Sequence, residues 1–260
     1  MLKIQVNSIE LDYEDYGTGQ VLLLLHGLGS TKKDWDAQVP FFSKKYRVIA
    51  LDLRGHGDSS IPINDYGVEV MTEDVKAFMD QLKIDKATFV GFSMGGAVAF
   101  QMAASYPEYV EHLVIVNSGP DFNTMGSIGE DLLKSRTQFL ESKGLDVLAK
   151  EISFNMFPEE HQLELRKAFE LRCKNNDYHA YYQSFVTLMD WGLGDQLQGI
   201  KARTLVVASD MDYTSVAFKQ DYVDRMQNAR LAIIENSRHG VVIDQPDAFN
   251  KVLEKFLEDE

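Results

Sequence analysis

The sequence predicts a doubly wound α/β fold carrying a helical insertion, and three observations lead there. Short continuous apolar runs recur along the chain, and such runs suit strands buried on both faces of a parallel sheet. Helical patterns lie between several of them, the element order of α/β proteins. One long interval then has no strand signal at all. With 260 residues, 45% of them hydrophobic, the chain can bury a sizeable core.

The elements follow in order. "LKIQV" and "IELDYEDY", joined at Asn7-Ser8, alternate with period two and predict an antiparallel hairpin. "VLLLL" (21–25), "YRVIAL" (46–51), "ATFVGF" (87–92), "HLVIVN" (112–117), "TLVVAS" (204–209) and "LAIIE" (231–235) predict the buried strands. In "MTEDVKAFMDQL", Val75, Phe78, Met79 and Leu82 share one face, with charges opposite. "PDAFNKVLEKFLEDE" starts at Pro246 and repeats Phe249, Val252, Leu253 and Phe256 at helical spacing. Between about Gly119 and Ile200, helices are expected near 129–142, 145–153, 159–174 and 178–190. That interval is too long for a plain crossover. It is expected to be a cap (119–200) inserted in a core made of 1–118 and 201–260. Its Phe, Tyr, Met and Trp residues supply its own core and an apolar pocket, for which Phe122, Phe154, Phe157, Tyr182 and Trp191 are the candidates.

Composition excludes several function classes. A net charge of -14 argues against nucleic acid or an anionic membrane as partner, since phosphate binding needs clustered Lys and Arg. An anionic substrate would need a local arginine, and Arg136, Arg166 and Arg172 in the insertion are available, with solvated positions their ordinary expectation. The single cysteine, Cys173, cannot form an internal disulfide and reads as a small hydrophobe inside a helix. No apolar run approaches the roughly 18 residues of a membrane helix, and the N-terminal stretch has no signal core. The expectation is a cytoplasmic monomer or homodimer.

The chemistry concentrates at "FVGFSMGG". Gly91-Phe92-Ser93-Met94-Gly95 fits G-x-S-x-G between a buried strand and a helix, the context that gives this pattern meaning. A sharp strand-to-helix turn strains the central residue and lifts its hydroxyl to a helix N-terminus, where developing negative charge is favoured. A serine nucleophile needs a base and a group to orient it. Of six histidines, His239 follows the last strand and precedes the C-terminal helix, on the same sheet edge as Ser93. "TLVVASDMD" offers Asp210 and Asp212, which have the same parity, so periodicity does not choose between them. His26-Gly27-Leu28-Gly29 ends another buried strand, with His26 read as a turn residue. The Leu28 N–H, with that of Met94, would form an oxyanion hole, each donor contributing roughly 3 to 4 kcal/mol in the transition state.

Taken together, "HGLGS" (26–30), "DLRGHGDSS" (52–60), "GFSMGG" (91–96), "YPEYVEHLVIVN" (106–117), "SDMD" (209–212) and "RHGVVIDQP" (238–246) resemble the α/β-hydrolases over essentially the whole chain. The resemblance implies an eight-stranded, mostly parallel sheet with a helical cap, Ser93 as nucleophile, Asp212 as acid and His239 as base. It makes the loop around His56 structural. Two positions depart from the pattern, Ser209 where relatives often carry glycine and Arg238 where a small residue often precedes the histidine. Serine at the nucleophile position argues against dehalogenases and epoxide hydrolases, and "SMGG" and "DQP" are similar to enol-lactonases and related esterases. The implied activity is hydrolysis of a small-molecule carboxylic ester with a small to medium apolar acyl group, needing neither metal nor organic cofactor. Lactone opening, perhydrolysis and a ligand receptor on a hydrolase scaffold are the alternatives.

Overall fold

The computed structural model describes residues 2–259. The first half of the chain runs β1 (Leu2–Val6), β2 (Ile9–Tyr16), β3 (Val21–Leu25), α1 (Gln38–Phe42), β4 (Arg47–Leu51), α2 (Val68–Leu82), β5 (Ala87–Phe92), α3 (Met94–Ser105) and β6 (Val110–Val116). Four helices follow without a strand, α4 (Gly126–Lys143), α5 (Leu145–Met156), α6 (Leu163–Lys174) and α7 (Tyr178–Asp190). The chain then closes with β7 (Arg203–Ser209), α8 (Val216–Arg225), β8 (Ala229–Ile234), α9 (Val241–Asp244) and α10 (Pro246–Glu258).

The eight strands form one sheet in the order β1-β2-β4-β3-β5-β6-β7-β8. The hairpin β1–β2 and the β2–β4 pair are antiparallel, and every other pairing is parallel. The period-two register sorts side chains onto two faces. Leu23, Leu25, Ile49 and Phe89 join one core, packed by α2 and α3. Leu22, Leu24, Val48 and Val90 join the other, which continues into α5 and α7 through Leu148, Met156, Tyr181 and Phe185.

After β3 the chain adds β4 on one side and then returns to place β5 on the other. This reversal opens a crevice at the carboxyl ends of β3 and β5, the place where ligands bind in open α/β sheets. The four-helix segment leaves and returns through one neck. There Phe122 N donates to Trp191 O (3.0 Å) and Leu193 N to Pro120 O (2.9 Å).

Most differences from the sequence reading have local causes. The helix expected over 159–174 starts with a 3-10 turn, Glu160–Gln162, because Glu159 and Gln162 form a reciprocal capping box. α1 and α8 gave no readable amphipathic stripe. In α8 the inward face carries Lys219 beside Tyr222 and Val223, so a charge interrupts the apolar pattern. No helix among the described residues is long and apolar enough to cross a membrane.

Candidate active site

Ser93 sits between β5 and α3 with φ 52°, a left-handed conformation unusual for a residue with a side chain. Two glycines permit it. A Cβ on Gly91 would lie 2.2 Å from Gly95 O, and one on Gly95 would lie 2.2 Å from Leu25 O, so neither position accepts a side chain without moving backbone. Ser93 N donates to Val116 O (2.9 Å), which ties the turn to β6. Its place at the head of α3 leaves the Met94 N–H without an intrahelical acceptor.

Facing this turn, the loop after β3 is braced from three sides. Buried His26 accepts from Leu53 N at Nε2 (3.0 Å) and donates from Nδ1 to Gly27 O (2.8 Å), the assignment these partners require. Burial holds its pKa down to about 4, so the ring is neutral and structural. Asp34 accepts from Gly27 N (3.3 Å) and from the Ser30 hydroxyl. From α6, Arg172 reaches Asp34 (3.4 Å), and Asn176, just beyond that helix, donates to Gly29 O (2.8 Å). Among the described residues the Leu28 N–H meets no protein acceptor.

His239 follows β8, and its Nδ1 lies 2.5 Å from Asp212 Oδ1. Asp210 instead accepts from Ser237 N (3.2 Å) and is exposed, so the geometry separates two aspartates that parity could not. Burial of Asp212 opposes its ionisation, but His239 and Lys219 outweigh that and hold its pKa well below the usual carboxylate range. The Asp212 side chain is 1% exposed, and Lys219 Nζ lies 2.7 Å from its Oδ2. The His239 ring stands between Phe92 (5.0 Å) and Tyr213 (4.6 Å between centroids).

Asn117 explains one departure from the sequence pattern. With φ 43°, it receives Ser209 N at Oδ1 (2.9 Å), while its Nδ2 donates to Ser209 Oγ (2.7 Å) and to His239 O (2.8 Å). Ser209 therefore has a use for its hydroxyl that glycine could not serve. Asn117 and Lys219 both escaped the sequence reading.

Ser93, Leu28, Asp212 and His239 border one cavity of about 330 Å³, within the range of small-molecule sites. Its walls are mainly apolar, with Met125, Leu132, Ile152, Met156 and Phe185 facing inward. Of the aromatic candidates only Phe122 lines it. Phe154 is 53% exposed with Arg166 over its ring, because it lies on the helix face opposite Ile152 and Met156. Phe157 is buried beneath Gly240, against Phe169. Tyr182 stacks on Tyr178, and Trp191 donates Nε1–H to Gln101 behind the wall (2.8 Å). The i, i+4 sets 152/156 and 181/185 were the available signal for the true lining.

The cavity also contains a cation. Arg136, from α4, lines it with its guanidinium 5.0 Å from the Phe185 ring centroid, and it makes no ion pair among the described residues. Arg166 and Arg172 do not line it, and Arg172 is committed to Asp34. Elsewhere Asp12, Asp52 and Asp58 cluster closely enough to suggest a metal site, but the Lys32 ammonium fills it, 2.6, 2.6 and 3.6 Å from the three. Cys173 is buried in α6, and burial raises its thiol pKa to about 12.

The family described as alpha/beta hydrolase fold matches residues 20–246. A 3-oxoadipate enol-lactonase 2 from Acinetobacter baylyi is 29% identical over 98% of this chain and 95% of its own length. The crystal structure of the enol-lactonase from Burkholderia xenovorans LB400 superposes with a TM-score of 0.92 at 27% identity, covering 99% of this chain and all of that one. An esterase from Exiguobacterium antarcticum gives a TM-score of 0.89 at 25% identity, over 99% of both chains.

Proposed function

The chain belongs to the alpha/beta hydrolase family, and from that premise we propose that it hydrolyses carboxylic esters of small to medium apolar acyl groups through an acyl-enzyme. The observation that carries this reading is the convergence of Ser93, the Asp212–His239 pair and the Leu28 N–H on one apolar cavity. His239 takes the Ser93 hydroxyl proton as Oγ attacks the ester carbonyl, and the Leu28 and Met94 N–H groups hold the resulting oxyanion. Collapse expels the alcohol, which receives the proton from His239. Water, deprotonated by the same imidazole, then releases the acid. The helices between β6 and β7 act as a cap that supplies the acyl pocket.

A p-nitrophenyl ester series from acetate to laurate tests this. Each methylene that finds room contributes about 0.8 kcal/mol, so kcat/KM should climb through the short chains. It should fall once the chamber is full, before about twelve carbons. A steady rise to laurate, or no turnover of any ester by folded protein, overturns the reading.

Arg136 favours a second, narrower reading. A guanidinium with no ion pair among the described residues, in a mainly apolar chamber that Asp121 also lines, fits a substrate that carries a carboxylate, either an open ester or a lactone. Both enol-lactonase relatives make the lactone form worth testing. Arg136→Met should raise KM for a hemisuccinate ester by about tenfold and leave its neutral methyl ester unchanged. Equal effects on both esters would remove Arg136 from substrate recognition.

A further inference from the structure

Buried lysines are rare, because removing an ammonium from water costs several kcal/mol unless its hydrogen bonds are replaced. Lys219 is fully buried in α8, and its replacements are complete. Nζ lies 2.7 Å from Asp212 Oδ2, 2.8 Å from Thr214 O and 2.7 Å from Thr214 Oγ1. Three acceptors match the three donors of the protonated amine. Thr214 Oγ1 in turn donates to Asp212 Oδ2 (3.0 Å), so one carboxylate oxygen is fully engaged on the side away from His239. The helix is anchored for this purpose by Ser215, whose hydroxyl caps it through Phe218 N (3.1 Å).

We propose that Lys219 is a positioning residue of the active site: it fixes the Asp212 carboxylate so that only Oδ1 addresses His239, and it offsets the charge that His239 experiences. This rests on the hydrolase reading given above. The Asp212–His239 pair alone would stabilise the imidazolium strongly and keep the base protonated to higher pH. A positive third member, 2.7 Å from the other carboxylate oxygen, offsets part of that attraction. Burial lowers the Lys219 pKa from its ordinary value and Asp212 only partly offsets this, while the three acceptors match the three donors of the ammonium form. The other charged or titratable groups packed around this trio are Tyr213, Tyr222, Arg136, Arg238, Asp210 and Asp244, whose carboxyl accepts from the Ser237 hydroxyl (2.9 Å) and has its pKa pushed up to about 6 by burial. Tyr222 is buried and donates to Ser118 O (3.0 Å), and Arg136 and Arg238 approach Tyr213 rather than Asp212.

The test replaces Lys219 with Met, which keeps the stem and removes the charge. The acid limb of the kcat/KM profile should move to higher pH by about one unit, with kcat reduced about tenfold or more and KM within a factor of about two. Lys219→Gln keeps a donor to Asp212 Oδ2 without the charge. It should show the same pH displacement with a smaller loss of kcat, and it carries the test if Lys219→Met does not fold. The His239 titration, followed by NMR of the imidazole C–H signals in the Ser93→Ala background, should move in the same direction. Because that arm needs no substrate, its result is separable from the fate of the esterase reading. An unmoved titration and an unmoved acid limb in folded Met or Gln protein would reduce Lys219 to a packing role and overturn the proposal.

Discussion

Ser93→Ala is expected to reduce ester turnover by about six orders of magnitude, the scale seen when a serine nucleophile is removed from a unit that acts together. The protein should fold as before, since the turn is held by Ser93 N to Val116 O and by the glycine contacts, which alanine leaves intact. Alanine must still adopt φ 52°, a conformation the serine already tolerates at similar cost. Binding should survive for the same reason, because the removed hydroxyl is a small part of the chamber wall. Progress curves for p-nitrophenyl butyrate with both proteins, alongside circular dichroism, check this. Residual activity within a hundredfold of wild type would mean that another group performs the attack.

The second large effect separates two aspartates only two positions apart. Asp212→Asn should lower kcat by roughly 10⁴-fold, because an amide at 2.5 Å from Nδ1 no longer stabilises the imidazolium and can present N–H, which favours the wrong tautomer. It also deprives buried Lys219 of its counter-charge, so some loss of stability should accompany the loss of rate. Asp210→Asn, at an exposed residue whose acceptor role toward Ser237 N an amide oxygen can retain, should stay within about twofold of wild type. Single-turnover rates with both variants decide the matter. A reversed ranking would assign the acid to Asp210.

Much of the fold could be read from the chain because a parallel sheet buried on both faces needs continuous apolar runs, and those runs are unmistakable in β3, β5 and β7. The Ser93 turn was equally legible, since its glycines are forced by backbone approaches near 2 Å. The chamber walls were not. Choosing large aromatics from the insertion favoured residue size over helix face, which placed Phe154 inside when it lies opposite Ile152 and Met156. Lys219 was invisible for a different reason. A lysine in a helix normally means solvent, and only the tertiary meeting of α8 with the loop after β7 turns it inward. Arg136 was named with Arg166 and Arg172 as an available cation, but the sequence did not separate the one that lines the chamber, over Phe185, from the two that do not.

The grip of Arg172 and Asn176 on the loop after β3 bears on how this protein can acquire new substrates. Exchange of the whole four-helix segment would cut two of the ties that shape the loop carrying the Leu28 N–H, and the chemistry would suffer together with the selectivity. Diversification at Leu132 or Ile152, both partly exposed, leaves those ties in place and reshapes the chamber wall. Single side chains of the four-helix segment are therefore the economical place to reshape the chamber, because the segment's backbone and the loop after β3 brace one another.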